Sequence, residues 1–98
     1  MNPFLMQGQA FAKVAGATPA APTAARGCGS AYTGAGDYNV TLDLALDEQE
    51  SFVLATPRVA DFTAYVVHTT DLVKQVLTRT VAGAAGDANF DFLALKLL

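Results

Sequence analysis

Few side chains in this 98-residue sequence could do chemistry. It has one histidine, His68, and one cysteine, Cys28. An imidazole can act as a general base or a pH switch. With Ser30 or Ser51 and an aspartate it could complete a Ser-His-Asp set. Neither serine lies in the Gly-x-Ser-x-Gly turn that exposes a nucleophile, and His68 follows Val66 and Val67 in a strand-like run. His68 therefore reads as a structural or interface residue. A reactive thiolate needs cationic surroundings. Cys28 has Arg26 nearby but no histidine beside it in sequence, so it reads as a small buried residue between Gly27 and Gly29. Asp43, Asp47, Glu48 and Glu50 form an acidic cluster. Calcium requires 6–8 oxygen ligands, and this spacing matches no EF-hand loop and lacks its glycine, so the cluster reads as a solvated turn. One histidine and one cysteine cannot close a zinc site. Gly34, Gly36, Gly83 and Gly86 are followed by no Lys-Ser/Thr pair, so they are turn glycines rather than a phosphate loop. Asn39-Val40-Thr41 fits a glycosylation acceptor, but within a strand pattern. The expectation is a protein with no catalytic residues, no metal ligands and no cofactor.

The elements that carry these residues show a period of two. Tyr38, Val40 and Leu42 alternate with Asn39, Thr41 and Asp43, the pattern of a half-buried strand. Four further strands are expected at 51–56, 62–70, 73–80 and 90–97. Gln9–Ala15 and Gly29–Thr33 are weaker candidates. A helix over 71–80 is the alternative for one segment, with Asp71 as its cap, but Val73, Val76, Thr78, Thr80 and Val81 favour a strand. The punctuation fits. Gly34-Ala35-Gly36-Asp37 is expected to supply positive φ twice, residues 46–50 make a polar connection, 69–71 a tight turn and 82–87 a longer hairpin loop. Strands at this spacing predict an all-β fold, a small antiparallel β-sandwich or barrel-like domain. Residues 1–36 are rich in Ala, Gly and Pro, and 16–23 read as an extended linker. The organisation expected is an extended N-terminal arm over 1–27 and a β-sandwich domain over 28–98.

Composition narrows the function. Hydrophobic residues make up 52% of the chain, and charged residues only 15% against a usual ~25%. The net charge of −3 and the lack of a basic stripe argue against nucleic acid and anionic membrane partners. Met1–Met6 carries no positive charge and does not read as a signal peptide. Val14–Ala25 is too short and polar to span a bilayer. Phe92-Leu93-Ala94-Leu95 is apolar on both faces, whereas the outer face of a lone sandwich should be polar. A second copy of the chain is the simplest cover, with Leu93, Leu95, Leu97 and Leu98 as the expected oligomer interface.

The run Ser30-Ala31-Tyr32-Thr33-Gly34-Ala35-Gly36-Asp37-Tyr38-Asn39-Val40-Thr41-Leu42 resembles small β-domains of tailed-bacteriophage virion proteins, of the head- and tail-fibre kind. Leu44-Ala45-Leu46, Val53-Leu54-Ala55-Thr56-Pro57 and Val76-Leu77-Thr78 follow in the same order, and Ala82-Gly83, Asp87, Phe90 and Phe92 close the pattern. The resemblance spans 28–98 and implies an all-β, usually trimeric, non-catalytic virion surface module. The sequence shows no shaft, coiled coil or collagen-like repeat. The expected protein is therefore a capsid decoration (cement) protein on the capsid surface, with the major capsid protein and its own copies as partners. Phe4, Leu5, Phe11 and Val14 are the expected capsid contacts of the arm, which is expected to be disordered when free. The alternative is a tail or fibre receptor-binding module, with a pocket around Tyr32, Tyr38 and Tyr65.

Overall fold

The structure is a computed structural model and describes residues 5–16 and 22–97. It is a two-sheet antiparallel β-sandwich, and the described residues include no α-helix. The strands are β1 (Met6–Val14), β2 (Pro22–Arg26), β3 (Cys28–Gly34), β4 (Asp37–Leu42), β5 (Ser51–Pro57), β6 (Phe62–His68), β7 (Val73–Thr80) and β8 (Phe90–Leu97). One sheet has the order β2-β1-β8-β5 and the other β3-β4-β7-β6. The chain crosses between sheets at β2–β3, β4–β5, β5–β6 and β7–β8, so β8 returns to lie between β1 and β5.

Period two places one face of each strand inward. Val14, Tyr38, Val40, Val76, Phe90 and Ala94 are wholly buried, and Ala10, Ala12, Leu42, Leu46 and Phe92 nearly so. The alanines are functional here as small partners. Phe92 is flanked by Ala12 on β1 and Ala55 on β5, so a ring fits between neighbours that leave it room. The Tyr38 ring meets that of Phe90 at 4.9 Å, and the two sheets touch there. The Tyr38 hydroxyl donates to Gly16 O at 2.9 Å and accepts from Ala88 N at 3.3 Å. Burial raises its pKa.

Five expected strands appear within two residues of their expected bounds, and the weaker candidates become β1 and β3. The helix alternative is not realised, since 73–80 is β7 and pairs with β4 and β6. Three expectations need correction. The described residues before 28 are extended, but they are strands of the sandwich rather than an arm beside it. Pro22–Arg26, which overlaps the end of the 16–23 linker and falls within the expected arm, is an edge strand. Its Pro-Thr-Ala-Ala-Arg sequence has little β propensity, but β1 offers an open edge whose backbone groups need partners. The polar connection at 46–50 contains a buried anchor, Leu46, whose N–H donates to Asp71 O at 2.7 Å.

Candidate functional site

His68, Ser51 and Glu48 do come together, around Lys74. These four, with Val53 and Val66, line a hollow of about 150 Å³ at one end of the sandwich. Lys74 points inward from β7 in phase with Val76 and Thr78 and is 1% exposed. Its Nζ donates to Leu46 O at 2.9 Å, Thr70 O at 3.0 Å and His68 Nδ1 at 2.8 Å. All three ammonium hydrogens are thus engaged. Burial lowers the lysine pKa, opposed by the charges of Asp71, Glu48 and Asp47. With Nδ1 as acceptor, the ring N–H is on Nε2, which faces Asp71 Oδ1 at 3.6 Å. The arrangement is a clamp joining β7 to the connections before β5 and after β6.

Nothing in it is arranged as a nucleophile and base. Ser51 Oγ donates to Asp47 O at 2.7 Å, and His68 is occupied by Lys74. Asp47 caps the single 3-10 turn at Glu48–Glu50, accepting from Gln49 N at 2.8 Å. Cys28 Sγ donates to Phe11 O at 3.4 Å. Burial and then the Asp43 charge raise the thiol pKa, the reverse of an activated cysteine. Among the described residues no three His, Cys, Asp or Glu side chains gather as a metal site. No described helix is long and apolar enough to cross a membrane. The three tyrosines do not line one pocket. Tyr38 is buried, and the Tyr32 hydroxyl donates to Asp87 at 3.1 Å. Tyr65 is 47% exposed on β6, whose alternation turns it to the outer face.

The larger feature is the outer face of the β2-β1-β8-β5 sheet. The strand registers lay it out in four rows. Met6 stands beside Leu97. Gly8, Leu95 and Phe52 form the second row, and Arg26, Phe11, Leu93 and Leu54 the third. The fourth is Ala24, Lys13, Asp91 and Thr56. The first three rows are apolar except for Arg26. Phe11, Phe52, Leu54, Leu93 and Leu97 are each 38–50% exposed. The last row is charged, and Asp91 takes Lys13 at 3.4 Å and Arg58 at 2.9 Å. The other sheet's outer face is more polar, with Thr33, Asn39, Thr41, Thr63 and Gln75 among its outward residues.

The expected interface leucines Leu93, Leu95 and Leu97 thus share one surface; Leu98 lies outside the described residues. Phe52 and Leu54 belong with them and were missed, although the alternation over 51–56 pairs them on one face. Of the expected capsid contacts, Val14 is corrected. It points inward and is wholly buried, because its phase on β1 matches Ala10 and Ala12. Phe11 is exposed in the centre of the apolar face, Leu5 is 53% exposed, and Phe4 lies outside the described residues. Lys74 was legible only as a lysine in phase with Val76. No family model, curated protein or solved structure matches the chain.

Proposed function

We propose that this chain is a structural, non-catalytic virion module, a capsid decoration protein that self-associates and staples neighbouring capsid proteins. One observation carries the reading: an apolar sheet face with a charged margin, on a small β-sandwich. Five side chains exposed by 38–50%, each with roughly 200 Å² of full surface, leave on the order of 400 Å² of apolar area. A standard interface buries about 800 Å² per partner, somewhat over half of it apolar. The face therefore supplies nearly the apolar share of one such interface. The virion setting and the trimeric state rest on the resemblance over 28–98. Copies joined on one body act together, so modest contacts of each copy with a shell add into firm attachment. Phe11 lies in the face that the copies would cover, which leaves Phe4 and Leu5 as the shell contacts.

The test is the mass of the purified protein by light scattering, followed by mixing with undecorated capsids. The expected result is an oligomer that binds the shell and raises its resistance to heat. A monomer at about 100 μM would overturn self-association. An oligomer that ignores capsids and binds host cells would support the receptor-binding alternative instead.

A further inference from the structure

The apolar face also says how a second copy sits on it. We infer that copies associate about an axis parallel to β8, so that β5 of one copy faces β1 of the next, with Phe52 seated over the hollow at Gly8. This rests on the proposed self-association and adds its geometry.

The first argument is charge. The four rows run from Met6–Leu97, which is apolar, to Lys13–Asp91, which is charged. An axis across the strands would reverse the rows of the partner. It would lay the Lys13–Asp91–Arg58 group on Leu97 and Met6, stripping water from three charges with no partner charge opposite. An axis along β8 keeps every row at its own level. Apolar rows then meet apolar rows. The charged row stays at the water-exposed margin, where Asp91 keeps its own Lys13 and Arg58 partners even though a two-fold copy brings its Asp91 to the same level.

The second argument is shape. Along such an axis the two flanks of β8 exchange, so β5 residues of one copy meet β1 residues of the next in the same row. In the second row these are Phe52, 50% exposed, and Gly8, where a Cβ would have nothing within 4 Å. Beside Gly8 lies a hollow of about 340 Å³ lined by Gly8, Gln9, Ala10, Phe11, Arg26 and Leu93. A large ring and a side-chain-free notch thus occupy opposite flanks of the same row. In the third row Leu54 meets Phe11. In a two-fold pair the contact occurs twice, Phe52 of each copy over Gly8 of the other, and the interface is isologous; in a closed ring of three it runs head to tail from each copy to the next.

Disulfide trapping tests this. In a Cys28→Ser background, Gly8→Cys and Phe52→Cys each place a thiol at an exposed position, with open space at 8. The two variants are oxidised, and in parallel treated with a bis-maleimide of about 8–10 Å reach, separately and as an equimolar mixture. Cross-linked product at least about tenfold greater in the mixture than in either variant alone is expected by one route or both, because a disulfide needs Cα atoms within roughly 7 Å and the linker spans the roughly 10 Å between packed sheet faces. An oligomer in which Gly8→Cys links to itself would overturn the axis, since it puts β1 on β1. An oligomer with no link in the mixture would overturn it equally and leave self-association standing. Monomeric variants from a monomeric parent would overturn both.

Discussion

At the scale of the residue, Lys74 is the most informative side chain. Its burial costs hydration, and its three acceptors return part of that cost. Lys74→Met would keep the apolar stem and leave Leu46 O, Thr70 O and His68 without their donor. The expected loss at pH 7 is about 1–3 kcal/mol, read by urea unfolding. The pH dependence has a definite sign. The folded protein holds this lysine below its ordinary pKa, so from that lowered value up to about 10.4 the unfolded chain binds more protons. Stability contributed by this site therefore rises with pH through that window. The raised pKa of Tyr32 and of Tyr38 acts in the opposite direction near pH 10, but in both proteins alike. The gap between wild type and Lys74→Met should widen from pH 8 to 10.5. Parallel profiles would show that the charge is not paying a burial cost.

At the scale of the element, turn chemistry decides which strands pair. Gly36 closes the β3–β4 hairpin at φ +69°, a conformation that side chains resist. A Cβ there would also collide with Thr78 O and with the backbone of Gly86. Its own groups are committed: the N–H donates to Asp87 at 2.8 Å, and the carbonyl accepts from Thr78 N at 2.8 Å and Arg79 at 3.1 Å. Gly83 shares the positive φ, at +92°, but faces open space. Gly36→Ala should cost at least about 2 kcal/mol, and Gly83→Ala only about 1 kcal/mol of backbone strain. Equal shifts in the denaturation midpoints would mean that the collision at Gly36 is relieved by movement of the 82–87 loop. Both glycines were legible as turn residues, but not their different surroundings: Gly36 is crowded by Thr78 and Gly86, which are distant in sequence, whereas Gly83 faces open space. The same limit explains β2. Alternation of apolar and polar residues exposes a strand that has a wet face, as with Tyr38–Leu42. It says little of Pro22–Arg26, whose pairing is imposed by β1. The clamp on Lys74 was hidden for a similar reason: two of its three acceptors are carbonyls on separate connections, which leave no mark in sequence, and the third, His68, reaches it only through the β6–β7 register.

For the whole molecule, the question is whether the apolar face belongs to the folded monomer or to an assembly. At about 25 cal/mol per Å², covering on the order of 400 Å² on each of two copies yields about 20 kcal/mol before costs. Association costs roughly 4–15 kcal/mol, and ordering of side chains and desolvation of polar groups at the face add to that. Much of the gain is therefore offset, and the assembly is expected to depend on concentration on the bench and to be firmer where many copies are held close together, as on a shell. Thermal unfolding makes this visible. A species that assembles only when folded is stabilised by mass action, and for a domain of this size a tenfold rise in protein should raise Tm by about 3–6 °C. Leu95→Asp, on the outer face between Gly8 and Phe52, should abolish that slope. At the lowest concentration, where little assembly remains in either protein, its Tm should stay within a few degrees of wild type, since no core contact is removed. Leu54→Lys, one row away on β5, should do the same. If both variants keep the concentration dependence, the copies meet elsewhere, and the apolar face is left for the shell protein. If wild type shows no dependence while behaving as an oligomer, the assembly is tighter than this area can support, and contacts beyond the β2-β1-β8-β5 sheet must contribute.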